Sequence, residues 1–264
     1  KNPVELYRLS INGSLIEIPN SCGKKSIIFP LDYKINNFEI DTNSGFIYLE
    51  DSVKICPRKK IINLYNSSNI PSRFSKCRNT TLDNGSWEIR ERSIQDALEY
   101  SVKYIKNFPN LLPPFFIGNP GLGKTHLSIS IISELILVYG IRCLFKEFRV
   151  LISDIKDLYL KNDSEKDYID KFNEYEVLVI DDLGSTRMSE WETGILDTII
   201  ATRYNANLHT IFSSNLSYIG SKIHKQTKED KILDYKIGER NVSRLFEMCK
   251  IIELRGDDYR KKTY

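Results

Sequence analysis

FFIGNPGLGKTHLSISII, residues 115–132, decides the fold by the order of its parts. An apolar stretch suited to a buried strand runs into Gly118-Asn119-Pro120-Gly121-Leu122-Gly123-Lys124-Thr125. An amphipathic helix is predicted to leave it, from about Lys124 to Val138, ended by Gly140. The eight residues fit the pattern G-x-x-x-x-G-K-[ST], a loop that cradles phosphate. Its glycines let the backbone fold tightly enough to aim several N–H groups at one anion. The helix behind it adds the positive end of its dipole. Lys124 is then placed to reach β- and γ-phosphates, and the Thr125 hydroxyl to ligate Mg²⁺. The bland alternative is a Gly/Pro turn before a helix, and the strand–loop–helix setting speaks against it.

Downstream, VLVIDDLG (residues 177–184) places two acids where an apolar strand ends, the position at which open α/β sheets build sites. Asp181 would hold Mg²⁺ through water, and Asp182 would orient or polarise an attacking water. Two solvated acids at a strand end are the alternative.

Around these motifs helices alternate with short apolar strands. Ser93 is predicted to cap a helix carrying Ile94, Ala97, Leu98, Val102 and Ile105. IRCLFKEF (141–148), HTIFSS (209–214) and CKIIEL (249–254) read as strands, and LISDIKDLYL (151–160) as a crossover helix. Ser189 and Glu192 form a capping box for a helix expected to bury Trp191, Ile195, Leu196 and Ile199. Such alternation predicts a parallel sheet covered by helices on both faces. The chain up to about Ile70 looks β- and turn-rich instead. SLIEIP, SIIF and FEIDTNSGFIYLE read as short strands, the last a hairpin turning at Asn43-Ser44-Gly45. The expected division is a small β-rich N-terminal domain over 1–69, a polar linker over 70–92 and an α/β domain over 93–264.

Bulk composition excludes little. With 38 basic against 35 acidic residues, the net charge of +3 does not announce a nucleic-acid binder. No apolar run is long enough for a membrane span and the opening residues lack a signal-peptide pattern, so a cytoplasmic setting without a membrane partner is expected. The cysteines, Cys22, Cys56, Cys77, Cys143 and Cys249, are odd in number and scattered, which fits a reducing compartment.

From Ile70 to Arg260 the chain resembles the helicase-loader ATPases of the DnaC and DnaI type and their relatives, the IstB transposition helpers. The resemblance rests on five passages in order: IPSRF, GNPGLGKTHL, EVLVIDDLGST, ILDTIIATRYNANLHTIFSSNLS and IGERNVSRL. It implies an AAA+ domain, ATP as the nucleotide, Mg²⁺ as its metal, hydrolysis to ADP and phosphate, and action as an oligomer. The nucleotide-contacting set it implies is the loop from Gly118 to Thr125 with His126 after it. In FSSNL, Asn215 matches the family's first sensor, an amide that can contact the γ-phosphate or its water; a turn Asn is the alternative. Arg244 matches the arginine finger, which would act in trans on a neighbour's site, and Arg240 lies one turn earlier on the same face. The alternative for Arg244 is pairing with a surface acid such as Glu247. Arg260 in RGDDYRKK matches the second sensor, with no room after it for a full helical lid; a solvated tail arginine is the other reading.

The N-terminal part departs from the family, where paired cysteines often form zinc knuckles. SCGKK and VKICPRKK each keep one cysteine of such a pair, so zinc is not expected. The partners implied are single-stranded DNA and a replicative ring helicase. The lysines of DIKDLYLKNDSEKD lie where related ATPases carry a DNA-contacting helix, although a solvated face reads equally well. SKIHKQTKEDK (221–231) reads as an exposed polar insertion. An IstB-like helper acting on duplex DNA and a transposase, and a nucleotide-gated scaffold with negligible turnover, are the competing readings.

Overall fold

The computed structural model describes residues 6–11, 14–19, 38–41, 46–49, 54–55, 57–75, 77, 91–161, 164–221 and 232–261, with side chains from residue 61 onward except that of Tyr159. In chain order the helices and strands are β1 (Leu6–Ile11), β2 (Ser14–Pro19), β3 (Phe38–Asp41), β4 (Phe46–Leu49), β5 (Lys54–Ile55), α1 (Pro57–Ser67), α2 (Arg92–Lys106), β6 (Pro114–Gly118), α3 (Lys124–Tyr139), β7 (Cys143–Glu147), α4 (Phe148–Lys161), α5 (Glu165–Phe172), β8 (Val177–Asp181), α6 (Glu190–Asn205), β9 (His209–Ser214), α7 (Leu233–Ile237), α8 (Glu239–Met248) and β10 (Lys250–Leu254).

The five strands from β6 to β10 form one parallel sheet in the order β10-β6-β9-β8-β7. Every residue of β6 and β8 is buried, because both faces are covered. Alternation along each strand divides the core in two. Phe115, Ile117, Leu178, Ile180 and Phe212 face α4, α6 and α8, while Phe116, Val177, Val179 and Ile211 face α2 and α3. From β6 the chain runs to β7 at the far edge, steps back through β8 and β9, and only then crosses to β10 on the other side of β6. Crevices therefore open at the carboxyl ends of these strands, where open α/β sheets bind ligands.

The N-terminal strands pair as expected in part: β1 with β2, and β3 with β4 and β5, all antiparallel. SIIF and the turn at Asn43-Ser44-Gly45 lie outside the described residues, as does most of SKIHKQTKEDK. The region read as β-rich also holds α1, which the sequence reading did not anticipate. Pro57 opens it, a ring whose fixed φ suits the first helical position. The helix lies against α3 and β7. Leu64, Tyr65, Ile70 and Phe74 join the apolar cluster on that side, and Ser68 O accepts the N–H of Phe145 at 2.8 Å, covering the β7 edge of the sheet. Helix α1 and the residues through Phe74, divided in the sequence between N-terminal domain and linker, thus pack on the α/β core.

Two local expectations are corrected. Ser93 is not the cap of α2, which starts after Glu91; its hydroxyl instead accepts the N–H of Arg255 at 2.9 Å and ties α2 to the end of β10. The capping box of α6 is present, but Trp191 is 39% exposed and lies at the edge of the buried stripe made by Glu192, Ile195, Leu196, Ile199 and Arg203.

Candidate functional site

The crossing of β6, β8 and β9 brings three sequence-distant stretches together at one end of the sheet. Gly118 closes β6, and a Cβ there would stand 2.4 Å from Leu254 O, so only glycine lets β10 pass this close. The loop then turns into α3. Asn119 and Pro120 are exposed, whereas Leu122 is fully buried and anchors the loop in the core.

Lys124 is 6% exposed, and its Nζ donates to Gly118 O at 2.7 Å and Asn119 O at 2.8 Å. Burial, opposed by Asp182 and Asp181 and helped by the nearby charge of Arg260, pulls its pKa down to about 8. A phosphate needs the charged ammonium and would raise that pKa on binding. The sign follows: affinity for a nucleotide is constant below pH 8 and weakens as pH rises above it, by about tenfold per pH unit until the pKa of the complex is reached. Titrating Kd between pH 7 and 9.5 at fixed ionic strength checks this; a flat profile would show that Lys124 keeps its proton in the free protein.

Thr125 Oγ1 donates to Asp181, 2.8 Å from Oδ2 and 3.1 Å from Oδ1, and Ser213 Oγ donates to Oδ1. Burial pushes the Asp181 carboxyl upward against these hydrogen bonds, which favour its anion. A hydroxyl and a carboxylate in contact form an all-oxygen donor set, which fits Mg²⁺. Asp182 stands at φ +58°, a left-handed conformation rare outside glycine and recurrent at functional sites. Its N–H donates to Ser213 Oγ at 3.0 Å, and Asn215 Nδ2 donates to its Oδ1. Leu183 N–H to Ser213 O and Ser214 Oγ to Leu183 O, at 2.8 and 2.7 Å, hold the two strand ends in register.

Lys124, Thr125, Asp181, Asp182 and Asn215 therefore converge. Arg260, in the short turn Tyr259–Lys261, lies near enough to lower the Lys124 pKa. His126 turns instead toward Cys77, its Nδ1 3.5 Å from the thiol. Arg244 is elsewhere: its Nη1 pairs with Asp197 Oδ1 of α6 at 2.5 Å, rather than with Glu247, and its side chain is 18% exposed. Arg240, one turn earlier, is exposed. The lysines read as DNA contacts divide: Lys156 Nζ reaches the buried Glu192 at 2.6 Å, and Lys161 is exposed. Cys22 and Cys56, on which the zinc expectation turned, lie outside the described residues.

Sequence reasoning missed Ser213, which orients both aspartates, and Asp258, whose carboxyl lies against Gly121. A run of small polar residues directly after the apolar part of β9 was the available signal for Ser213. Asp258 left no local signal.

Comparison with known proteins adds three findings. The model of the family described as IstB-like ATP binding protein matches residues 76–264. YqaM of Bacillus subtilis is 30% identical over 212 residues, 76% of this chain and 62% of that protein. The replicative helicase loader DnaC of Buchnera aphidicola (subsp. Baizongia pistaciae) is 28% identical over 183 residues, 68% and 69% of the two chains, and that of Escherichia coli K12 is 28% identical over 152 residues, 57% of each. The chain thus spans between about half and two thirds of the length of the curated relatives it matches. A crystal structure of the DnaC helicase loader superposes with a TM-score of 0.59 at 28% identity, over 70% of this chain and 100% of that one. The DnaI structure (TM-score 0.56, 20% identity, 71% and 95% coverage) shares the fold. No helix among the described residues is long and apolar enough to cross a membrane.

Proposed function

The chain belongs to the family of IstB-like ATP-binding proteins, and from that premise we propose that it is a Mg²⁺-dependent ATPase that works as a helicase loader. The observation that carries this reading is the convergence of Lys124, Thr125, Asp181, Asp182 and Asn215 at one strand end, in a chain whose relatives include replicative helicase loaders.

The loop N–H groups and the start of α3 hold the polyphosphate, and Lys124 exchanges its two carbonyl acceptors for phosphate oxygens. Thr125 and Asp181 would hold Mg²⁺, which neutralises charge on the transferred group. Asp182 accepts a proton from the attacking water, and Asn215 fixes the carboxylate for it through Oδ1. Arg260 contacts the terminal phosphate.

Arg244 acts on a neighbouring subunit. To reach it the side chain leaves Asp197, so assembly and release of that pair are coupled. Single-stranded DNA and a ring helicase are the partners of this reading, and the stretch before α1 carries the partner-binding surface, since α1 itself packs on the sheet. The competing reading, from the resemblance to the IstB transposition helpers, is an ATPase that assembles on duplex DNA and directs a transposase.

The test is ATPase rate against protein concentration, with single-stranded DNA, duplex DNA or neither, for wild type and Arg244→Ala. Specific activity should rise with concentration and with single strands. Arg244→Ala should lower kcat by about 10³-fold while ATP still binds. Stimulation by duplex alone would replace the loader with the transposition helper, and a rate indifferent to concentration and to Arg244 would remove the finger.

A further inference from the structure

Gly121 differs from Gly118 in what stands against it, a side chain rather than a strand carbonyl. A Cβ built on it would lie 1.7 Å from Asp258 Oδ1, 2.3 Å from its Cγ and 3.0 Å from its Cα. The carboxyl group of Asp258 therefore fills the notch that the missing side chain leaves in the phosphate loop. Backbone reinforces the seat, since Tyr259 N–H donates to Gly121 O at 3.3 Å. Gly121 sits at φ +82°, so a side chain there would be strained as well as blocked.

The same Oδ1 faces the other way too. It accepts Arg260 N–H at 3.0 Å and lies 3.4 Å from Arg260 Nε. Asp258 is one quarter exposed, and Arg260 is 73% exposed at the surface of the nucleotide site. An acid pressed on a loop that collects N–H groups for phosphate would repel the ligand on its own. Paired with Arg260 it presents a near-neutral unit whose cation is turned outward. This contact, with the packing of Tyr259 on the apolar cluster, holds the turn Tyr259–Lys261 over the site.

We infer that Asp258 is a positioning residue: it seats the turn Tyr259–Lys261 on the phosphate loop through the notch at Gly121 and aims Arg260 at the terminal phosphate of bound ATP. The inference rests on Arg260 reading that phosphate, and it adds the group that holds Arg260 in place. It also gives Gly121 a role beyond loop flexibility, as the socket of a miniature lid.

The deciding experiment measures Kd for ADP and for the β,γ-imido analogue of ATP, both with Mg²⁺, on the full chain and independently of turnover. The proteins are wild type, Asp258→Ala, Asp258→Asn, Arg260→Ala and the Asp258→Ala/Arg260→Ala double variant, each with its melting temperature recorded. Arg260→Ala should reduce the preference for the ATP analogue over ADP by about tenfold, the size of one charge-assisted contact. Asp258→Ala should match it, and the double variant should lose no more than Arg260→Ala alone. Asp258→Asn, which keeps an acceptor for Arg260 N–H, should recover part of the preference. Equal weakening of both nucleotides by Asp258→Ala, multiplicative losses in the double variant, or tighter ATP binding without the acid would each overturn the proposal. A preference lost in Arg260→Ala but intact in Asp258→Ala would sink the role of Asp258 alone. A preference unchanged in Arg260→Ala would overturn the sensor reading, and this inference with it.

Discussion

Replacing Lys124 by alanine should raise the Kd for Mg·ATP by about 10²–10³-fold, abolish turnover, and flatten the dependence of Kd on pH above 8. The size follows from where the ammonium sits. It is buried, and it already holds the carbonyls of Gly118 and Asn119, so the loop is preorganised around a cation before any phosphate arrives. For an ammonium that is itself buried, one phosphate–ammonium contact is worth several times its value at the surface. Alanine removes the cation that the phosphate would meet and leaves the carbonyls of Gly118 and Asn119 without their donor in the free protein. The flattening is the sharper part of the prediction. Any lysine-to-alanine change in a phosphate site weakens binding, but only loss of the group that titrates near pH 8 removes the alkaline limb. Isothermal titration across pH 7–9.5 with both proteins decides it. Retention of the limb in Lys124→Ala would assign it to another group.

Much of this was legible because it is local. The loop pattern, the strand before it and the helix after it are adjacent in the chain, and the sheet strands are continuous apolar runs bounded by turns. Asp181 and Asp182 were legible for the same reason. The partnership of Ser213 with them was not, since it depends on the register that places Ile180 opposite Phe212, and nothing in HTIFSS encodes that neighbour. Helix α1 was hidden differently. In VKICPRKK the legible feature is the single cysteine, one half of a metal-binding pair, whereas packing of Leu64 and Tyr65 stabilises a helix too short to persist alone. Asp258 lies beyond any spacing rule, since its partner Gly121 is brought to it only by the pairing of β10 with β6. Arg203 did leave a trace. It falls one turn after Ile199 on the buried stripe of α6, and a charged residue in phase with an apolar face signals an internal cation.

That cation carries the second large effect. Arg203 is fully buried, and the acceptors of its guanidinium are all neutral: Thr210 Oγ1 at 2.7 Å, Phe172 O at 2.6 Å, Tyr175 O at 3.1 Å and His209 O at 2.7 Å. Burial draws its pKa down to about 9, which still leaves it charged at neutral pH. Phe172 is the last residue of α5, so one acceptor belongs to the negative end of a helix dipole. The side chain thus binds α5, α6 and the start of β9 into one piece. Arg203→Met keeps the apolar stem but strands these acceptors, and should cost about 3–5 kcal/mol of folding stability and lower Tm by on the order of 10 °C. Arg203→Lys keeps the charge without the planar fork, and should fall between the two. ATP affinity of the folded protein should stay at the wild-type value, because His209 opens β9 at the end of the sheet opposite Asn215. Urea unfolding together with nucleotide titration separates the outcomes. A stability change below about 0.5 kcal/mol, the range of ordinary surface substitutions, would mean that water replaces the guanidinium at no cost. A loss of affinity at intact stability would instead tie Arg203 to the nucleotide site.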